Sequence, residues 1–144
     1  MKESPRSRAR ELVLQSLYAW EHGEVEPNEA FKKISSEDKL SPKNVEFALA
    51  LLSLVMAHQG QADDHIAELA ENWNLERIAA IDRTILRMAI VELLMIPDTP
   101  VKVVLNEAIE LAKKYSTLES SKFVNGILDN FVKRQQRRID QSSR

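Results

Sequence analysis

The sequence has 144 residues, with 20 lysines and arginines against 22 aspartates and glutamates. Hydrophobic residues make up 44% and charged residues 29%, a composition typical of one folded domain that excludes wholesale disorder. Only 3 glycines and 5 prolines argue against turn-rich β-sandwiches, barrels and doubly wound sheets, and the lack of cysteine excludes disulfides and thiolate sites. No apolar run is long enough to span a bilayer, so we expect a soluble, cytoplasmic protein.

The charges are unevenly distributed along the chain. Residues 1–10 hold four bases and one acid, and residues 101–144 hold nine bases and five acids. Between these ends, residues 11–72 hold four lysines and twelve acids. This pattern suggests a polyanionic partner for the two ends and a basic protein for the middle, although scattered solvated faces would give the same counts.

A helical period begins at the N-terminus. Ser4 can cap a first helix with Pro5 at its first position, and Gly23 can end it. Its apolar face is formed by Ala9, Leu12, Val13, Ser16, Leu17 and Trp20. A short helix is predicted over 27–34. A longer one follows over 42–57, and it is broken at Gly60 from another helix over 62–72.

The second half of the chain is also helical by its period. Asn74 can cap a long helix over 75–95 that is apolar almost all round, which is typical of a central, buried helix. Thr99 can cap a further helix whose first residue is Pro100, and Ser116 or Thr117 can cap a last helix that ends at about Gln135. We therefore predict an all-α fold of about seven helices. We expect the whole chain, 1–144, to form one domain of two helical sub-bundles, about 1–58 and 61–135, with a polar basic tail over 136–144.

Signatures of catalysis are nearly absent from the sequence. It has no Gly-rich phosphate loop, no HExxH and no serine elbow beside its isolated histidines. The run from Asp63 to His65 is interpreted as a helix start, because neighbouring side chains on a helix diverge and do not converge on one metal ion. Glu92 falls on the apolar face of the long helix, where a paired structural carboxylate is favoured over a catalytic acid. We expect no catalytic residue, cofactor or metal site.

Three features are candidates for binding. Arg6, Arg8 and Arg10 cluster at a helix start, where the dipole disfavours bases, so they are either a phosphate site or ordinary surface charge. Tyr18 falls on the polar face of the first helix, which means that it is either covered by a remote segment or exposed to a partner. Phe123 falls at the edge of an apolar stripe, either as a core residue or as a platform on which an unpaired nucleotide can stack.

Several segments, in order along the chain, resemble the NusB family of bacterial transcription antitermination factors. The matching segments are Arg8-Ala9-Arg10-Glu11, Gln15-Ser16-Leu17-Tyr18-Ala19-Trp20, Ile85-Leu86-Arg87-Met88-Ala89, Glu92-Leu93, Asn106-Glu107-Ala108-Ile109-Glu110-Leu111-Ala112-Lys113-Lys114-Tyr115 and Lys122-Phe123-Val124-Asn125-Gly126-Ile127-Leu128-Asp129. From about 23 to 72 the resemblance is limited to the helical pattern.

The resemblance implies a fold of two helical bundles and a function in transcription. It implies binding to boxA, a short single-stranded signal in nascent RNA, together with NusE, a small-subunit ribosomal protein. It further implies a place in RNA polymerase complexes that resist termination, especially on ribosomal RNA operons. A homodimer that hides the RNA-facing surface is a possible state of the free protein.

The resemblance also assigns roles to particular residues. Three arginines and two residues of the last helix match the RNA-facing surface: Arg6, Arg8, Arg10, Lys122 and Phe123. The side that faces NusE is matched by Tyr18, with Glu76, Asp82 and Arg83 as further candidates.

Two other readings of the sequence remain open. A NusB-like domain precedes the catalytic domain of certain ribosomal RNA cytosine methyltransferases, so the chain could be a detached accessory domain of that kind. It could also be a purely structural helical adaptor with no RNA contact.

Overall fold

The computed structural model describes residues 4–23, 25–70 and 75–142. These residues form six α-helices and one short 3-10 helix, and no strand occurs among them. The helices are α1 (Pro5–Glu21), α2 (Pro27–Ile34), α3 (Pro42–Leu69), α4 (Ala80–Met95), α5 (Val101–Tyr115) and α6 (Leu118–Ser142), with the 3-10 helix at Leu75–Arg77. The all-helical class predicted from the sequence is confirmed.

The ends of α1 follow the local signals in the sequence. The Ser7 backbone N–H donates to the Ser4 hydroxyl at 3.0 Å, and Pro5 is the first helical residue, as predicted. At the other end Gly23 has a φ of +73° and its N–H donates to the Trp20 carbonyl at 2.9 Å. Glycine enters this left-handed region without a steric penalty, so it ends the helix cleanly.

The predicted break between two helices at Gly60 is displaced in the structure. Residues 42–69 are assigned to α3, but α3 consists of two helical segments that meet at a kink at His58 (φ −115°, ψ 16°), two residues before the predicted break. Gly60 itself is helical and exposed. A single glycine in an exposed helical position costs about 1 kcal/mol, which is too little by itself to end a helical segment at that residue.

Two further helix boundaries differ from the prediction. The long helix expected from residue 75 is divided into the 3-10 helix and α4, which begins only at Ala80, and the proposed cap Asn74 lies outside the described residues. The last helix was predicted to end at about Gln135, but α6 continues to Ser142. Glutamine and arginine are good helix formers, so α6 persists beyond its apolar stripe.

The chain divides into two compact units, Met1–His58 and Gln59–Arg144. In the first unit α1 packs against α2, and in the second α5 packs against both α4 and α6 while α4 also contacts α6. Buried side chains of the first unit include Leu12, Val13, Leu17, Phe31, Phe47, Leu51 and Leu52. Those of the second include Ile66, Ile85, Leu86, Ile90, Val104, Val124, Leu128 and Phe131.

Candidate nucleic-acid and protein interfaces

The N-terminal arginines of α1 have different environments. Arg6 is exposed and its guanidinium carbon lies 4.3 Å from the centroid of the Phe47 ring, while its Nε donates to the Asn44 side-chain oxygen at 3.3 Å. Arg10 is only 3% exposed and lies over the same ring at 5.0 Å. One helical turn separates the two arginines, so both reach Phe47 on α3. Phe47 therefore orients two of the three arginines predicted to contact RNA.

Arg8 points to a different set of neighbours. Its Nε and Nη2 donate to the two carboxylate oxygens of Asp38 at 2.8 and 3.2 Å, and its Nη1 donates to Glu11 at 2.7 Å. These hydrogen bonds hold the pKa of Asp38 below its ordinary value. The Arg8 side chain keeps 34% of its exposure, so a phosphate can approach it but meets two carboxylates already in place.

Tyr18 lies on α1 away from the arginines and is 40% exposed. Its ring centroid is 4.1 Å from that of His22, one turn further along the helix, and the two rings are tilted by 34°. Of the two alternatives left open by the sequence, the structure therefore favours an exposed aromatic over a covered one. A ring supported by a neighbour on the same helix is presented in a restricted orientation.

Phe123 lies in the second unit and is half-buried. It borders a cavity of about 290 Å³ whose lining residues are Arg77, Ile78, Ala79, Asp82, Glu119, Ser120 and Phe123. The neighbouring Lys122 is exposed. Phe123 is thus neither fully packed in the core nor fully exposed, which leaves part of the ring available beside an open cavity.

The three further candidates for the NusE-facing side lie around the start of α4 and differ in burial and in hydrogen bonding. Glu76 is exposed on the 3-10 helix. Asp82 is 5% exposed, and it accepts a hydrogen bond from the Ser120 hydroxyl at 2.8 Å. Arg83 donates to the backbone carbonyls of Leu75 and Ile78 at 3.1 and 3.3 Å. Asp82 and Arg83 therefore hold the beginning of α4 in place, whatever else they contact.

Other polar groups of the second unit serve its packing. The run from Asp63 to His65, interpreted from the sequence as a helix start, lies in α3 about one turn after the kink at His58. Asp63 accepts two hydrogen bonds from Arg87 at 2.6 and 3.0 Å. Glu92 is buried on α4, at 2% exposure, and interacts with a neighbouring group. Among the described residues no group of three or more His, Asp or Glu side chains is arranged to hold a metal ion.

The sequence-predicted residues fall in both units of the fold. The three arginines and Tyr18 belong to the first unit, and Glu76, Asp82, Arg83, Lys122 and Phe123 belong to the second. Sequence reasoning missed Asp38 and Phe47, which contact the arginines, because they lie about 30 to 40 positions away and no local pattern links them to α1. Within residues 4–23, 25–70 and 75–142, no helix combines the length and the apolar character needed to cross a membrane.

A family model described as the NusB family matches residues 7–133, which include Arg8, Arg10, Tyr18 and Phe123, and Arg6 lies just before the match. The chain belongs to the NusB family. The transcription antitermination protein NusB of Bacillus subtilis is 42% identical over 87% of this chain and 92% of its own length. The NusB of Chloroherpeton thalassium is 46% identical over 86% of this chain, which spans only 59% of that relative.

Solved structures agree with this assignment. A structure of T. maritima NusB is 34% identical with a TM-score of 0.82, and the match covers 92% of this chain and 93% of that one. A chain in the crystal structure of antitermination factors NusB and NusE in complex with dsRNA is 27% identical with a TM-score of 0.81, covering 90% of this chain and 96% of that one. The resemblance and the NusB-like fold expected from the sequence are therefore confirmed.

Proposed function

We propose that this NusB-family chain is a cytoplasmic transcription antitermination factor that binds single-stranded, boxA-type RNA together with NusE. In this role it joins RNA polymerase complexes that resist termination and supports transcription of ribosomal RNA operons. The observation that carries the proposal is the family match over residues 7–133. Relatives that share most of the chain are named transcription antitermination proteins, and a similar solved chain occurs in a complex of NusB and NusE with dsRNA.

The arginines at the start of α1 supply the phosphate-binding part of the proposed RNA surface. Arg6 and Arg8 both retain exposure, and cations at this position raise the local concentration of a polyanion. Arg10 completes the set on the same ring, Phe47, that orients Arg6. Because these contacts are to phosphates, they are expected to be strongly salt-dependent and to carry little sequence information.

Phe123 and Lys122 supply the base-contacting part of the same proposal. The Phe123 ring borders an open cavity, where an unpaired base can stack with a contribution of about 1–3 kcal/mol. Lys122 is exposed beside it and carries a charge suited to the adjacent phosphate. Stacking on an aromatic ring requires a splayed base, which favours single-stranded over duplex RNA.

NusE is the proposed protein partner, and Tyr18 is the central candidate for that contact. A 40% exposed tyrosine is the kind of side chain that anchors protein interfaces, because it combines a large apolar area with a polar end. Glu76 is exposed and can pair with a basic partner surface. Asp82 and Arg83 are more enclosed, so we propose that they shape this surface and contribute contacts at its edge.

We further propose that the chain acts by binding and not by catalysis. Its relatives carry the name of an antitermination protein, which does not favour a methyltransferase accessory domain or a purely structural adaptor. We also propose that the free protein can self-associate through its RNA surface. Sedimentation at the concentrations used for RNA binding measures whether it is a monomer or a dimer.

Fluorescence anisotropy of a labelled boxA-type RNA, titrated with the full chain with and without purified NusE, tests the proposal. We expect weak, salt-sensitive binding by the chain alone and tighter binding with NusE, because linked contacts extend the surface that holds one RNA strand. A scrambled RNA of equal length and composition and a duplex form of the boxA sequence are the matched controls. Equal binding of boxA and scrambled RNA in the presence of NusE would contradict the proposed function.

A further inference from the structure

The C-terminal part of α6 continues beyond the packed body of the second unit. Phe131 is the last buried residue of this helix, and residues 136–141 are all exposed. The family match ends at residue 133, so the exposed helical end lies outside the segment that the family model describes. A function of this exposed end would therefore be additional to the features that place the chain in its family.

The C-terminal part of α6 from residue 133 onward is strongly basic. Four of its residues are cations, and these are Lys133 and Arg134, followed by Arg137 and Arg138 in the exposed end. At about 100° per residue they occupy an arc of about 140° on the helix, so the charges form one face and do not encircle the helix. Between residues 133 and 142 the only acid is Asp140, which accepts a hydrogen bond from Gln136 at 3.2 Å.

Ion pairs cover only part of this basic face. Lys133 pairs with Asp129 at 2.9 Å, and Arg134 pairs with Glu68 at 3.4 Å through side chains that remain 39% and 56% exposed. Arg137 is exposed and has no ion-pair partner among the residues that the structure describes. Arg138 is also exposed, and it interacts with a neighbour. Both of these cations are thus accessible to solvent, and the charge of Arg137 is not neutralised by the described part of the protein.

The helix dipole does not account for this arrangement. Bases in the last turn of a helix are favoured, yet this effect fades within one turn, whereas the last turn of α6 holds no base and the basic face begins at Lys133, more than two turns before the end of α6. Like charges one turn apart, such as those of Arg134 and Arg138, destabilise an exposed helix. A bound polyanion removes that repulsion and matches the charge of this face.

We propose that the basic face of α6, residues 133–138, is a second phosphate-binding element that holds single-stranded RNA without regard to its sequence. The proposal rests on the proposed function only in taking RNA as the ligand. Its contacts are to the phosphate backbone, because the face offers cations and no aromatic ring on which a base can stack. It would extend the hold of the protein to nucleotides that flank a recognised signal.

The experiment compares the full chain with its Arg137→Gln/Arg138→Gln variant in salt titrations against two RNAs. One is a boxA-type RNA with a flanking single strand, and the other is an unrelated single strand of the same length. Removing two phosphate contacts from single-stranded RNA is expected to lower the slope of log affinity against log salt by about 1.4 for both RNAs. The fold-loss in affinity should therefore be about sevenfold larger at about 50 mM than at about 200 mM salt, and the same for each RNA.

A Lys32→Gln/Lys33→Gln variant on α2 is the matched control, because it removes the same charge from exposed positions in an acidic part of the chain. We expect its salt slope to equal that of the wild type within about 0.3. Circular dichroism of each variant establishes that the helical content is preserved, and glutamine is itself a good helix former.

An unchanged slope in the α6 variant, or a loss confined to the boxA-type RNA, would overturn the proposal. A variant that weakens NusE capture while keeping the full RNA slope would also overturn it, because the face would then serve a protein. Failure of the proposed function has a different signature, namely equal binding of both RNAs by the wild type. In that case the change in slope still decides whether α6 contacts phosphates.

Discussion

Arg8 donates three hydrogen bonds to two carboxylates, and these carboxylates limit how a phosphate can bind to its guanidinium. Asp38 occupies the Nε and Nη2 edge of the guanidinium, the edge that bidentate recognition of an anion uses. Glu11 accepts from Nη1 and is nearly buried, so its position is fixed. A phosphate that approaches Arg8 must therefore displace Asp38, which is joined to the protein by a loop between α2 and α3.

Replacing Asp38 with asparagine is expected to tighten RNA binding. The substitution keeps a side chain of similar size but removes the charge that competes with phosphate for Arg8. An ion pair at such a partly exposed position is worth about 0.2–1 kcal/mol, so affinity should rise by up to about fivefold. The slope of log affinity against log salt should steepen by about 0.7, the value for one added phosphate contact on a single strand. Anisotropy titrations over a range of salt measure both quantities.

Glu37→Gln is the control for this experiment. Glu37 neighbours Asp38 and is exposed, and the variant removes the same charge without touching the pair with Arg8. If both variants tighten RNA binding equally, the effect comes from general charge and not from competition at Arg8.

The same pair leaves a signature in the pH dependence of stability. The hydrogen bond from Arg8 lowers the pKa of Asp38, so the ionised carboxyl stabilises the folded chain above the pKa of an unfolded aspartate, about 4. This contribution is lost as the pH falls through the lower value of the folded state. The difference in unfolding free energy between wild type and Asp38→Asn, about 1 kcal/mol or less at neutral pH, should therefore shrink in urea titrations below about pH 4.

At the scale of elements, the contact between α1 and α3 depends on an arginine that is almost fully buried. Arg10 is 3% exposed, and its guanidinium lies over Phe47, which is itself 8% exposed. The aliphatic stem of such an arginine fills space in the packing, while its charged end gains a cation–π contact. The residue thus contributes to the stability of the first unit as well as to its proposed RNA surface.

Arg10→Ala is expected to lower the free energy of unfolding by about 1–3 kcal/mol, through lost packing and the lost contact with Phe47. Arg6→Ala removes an exposed guanidinium from the same ring and should cost less than about 1 kcal/mol. Urea unfolding of the two variants gives the comparison. Equal losses of unfolding free energy would show that the buried Arg10 stabilises the fold no more than the exposed Arg6 does. Salt slopes for RNA measured on the same proteins test whether Arg10 also contacts a phosphate.

The helices themselves could be predicted largely from local patterns. The cap at Ser4 and the glycine end at Gly23 were found because the signals lie within a few residues of the boundary that they set. The start of α4 was missed because the 3-10 helix and α4 together keep an apolar pattern across their junction. The continuation of α6 was missed because apolar periodicity ends at the packed stripe, whereas helix propensity extends the helix further.

The candidate site was predictable only where a residue could be judged on its own. The exposure of Tyr18 followed from its place on the polar face of α1, because a helical wheel shows that face directly. The pair of Arg8 with Asp38 and the ring of Phe47 under two arginines were not predictable, since contacts over 30 or more positions depend on how helices pack. Local patterns therefore indicate which side chains are exposed for binding, whereas tertiary contacts determine which neighbours those side chains already bind.

At the scale of the whole molecule, α1 carries candidates for two different partners. Arg6 and Arg8 lie at its beginning, and Tyr18 lies more than two turns further along, with its ring against His22. RNA and NusE can therefore contact one helix at separate positions, and a single rigid element would connect the two contacts. A helix in this position couples the partners by holding both, without any change in its own conformation.

Tyr18→Asp should separate the two proposed contacts. A buried charge in place of an aromatic anchor at a protein interface is expected to weaken NusE binding by about tenfold or more, whereas RNA binding by the chain alone should change less than twofold. Tyr18→Phe keeps the ring and is the matched control, and circular dichroism should be unchanged for both because the residue is 40% exposed. Arg6→Ala should show the opposite pattern, with weaker RNA binding and unchanged NusE capture. RNA binding and NusE binding are measured separately. If either variant weakens both, the two surfaces on α1 are not independent, and the two partners share a contact.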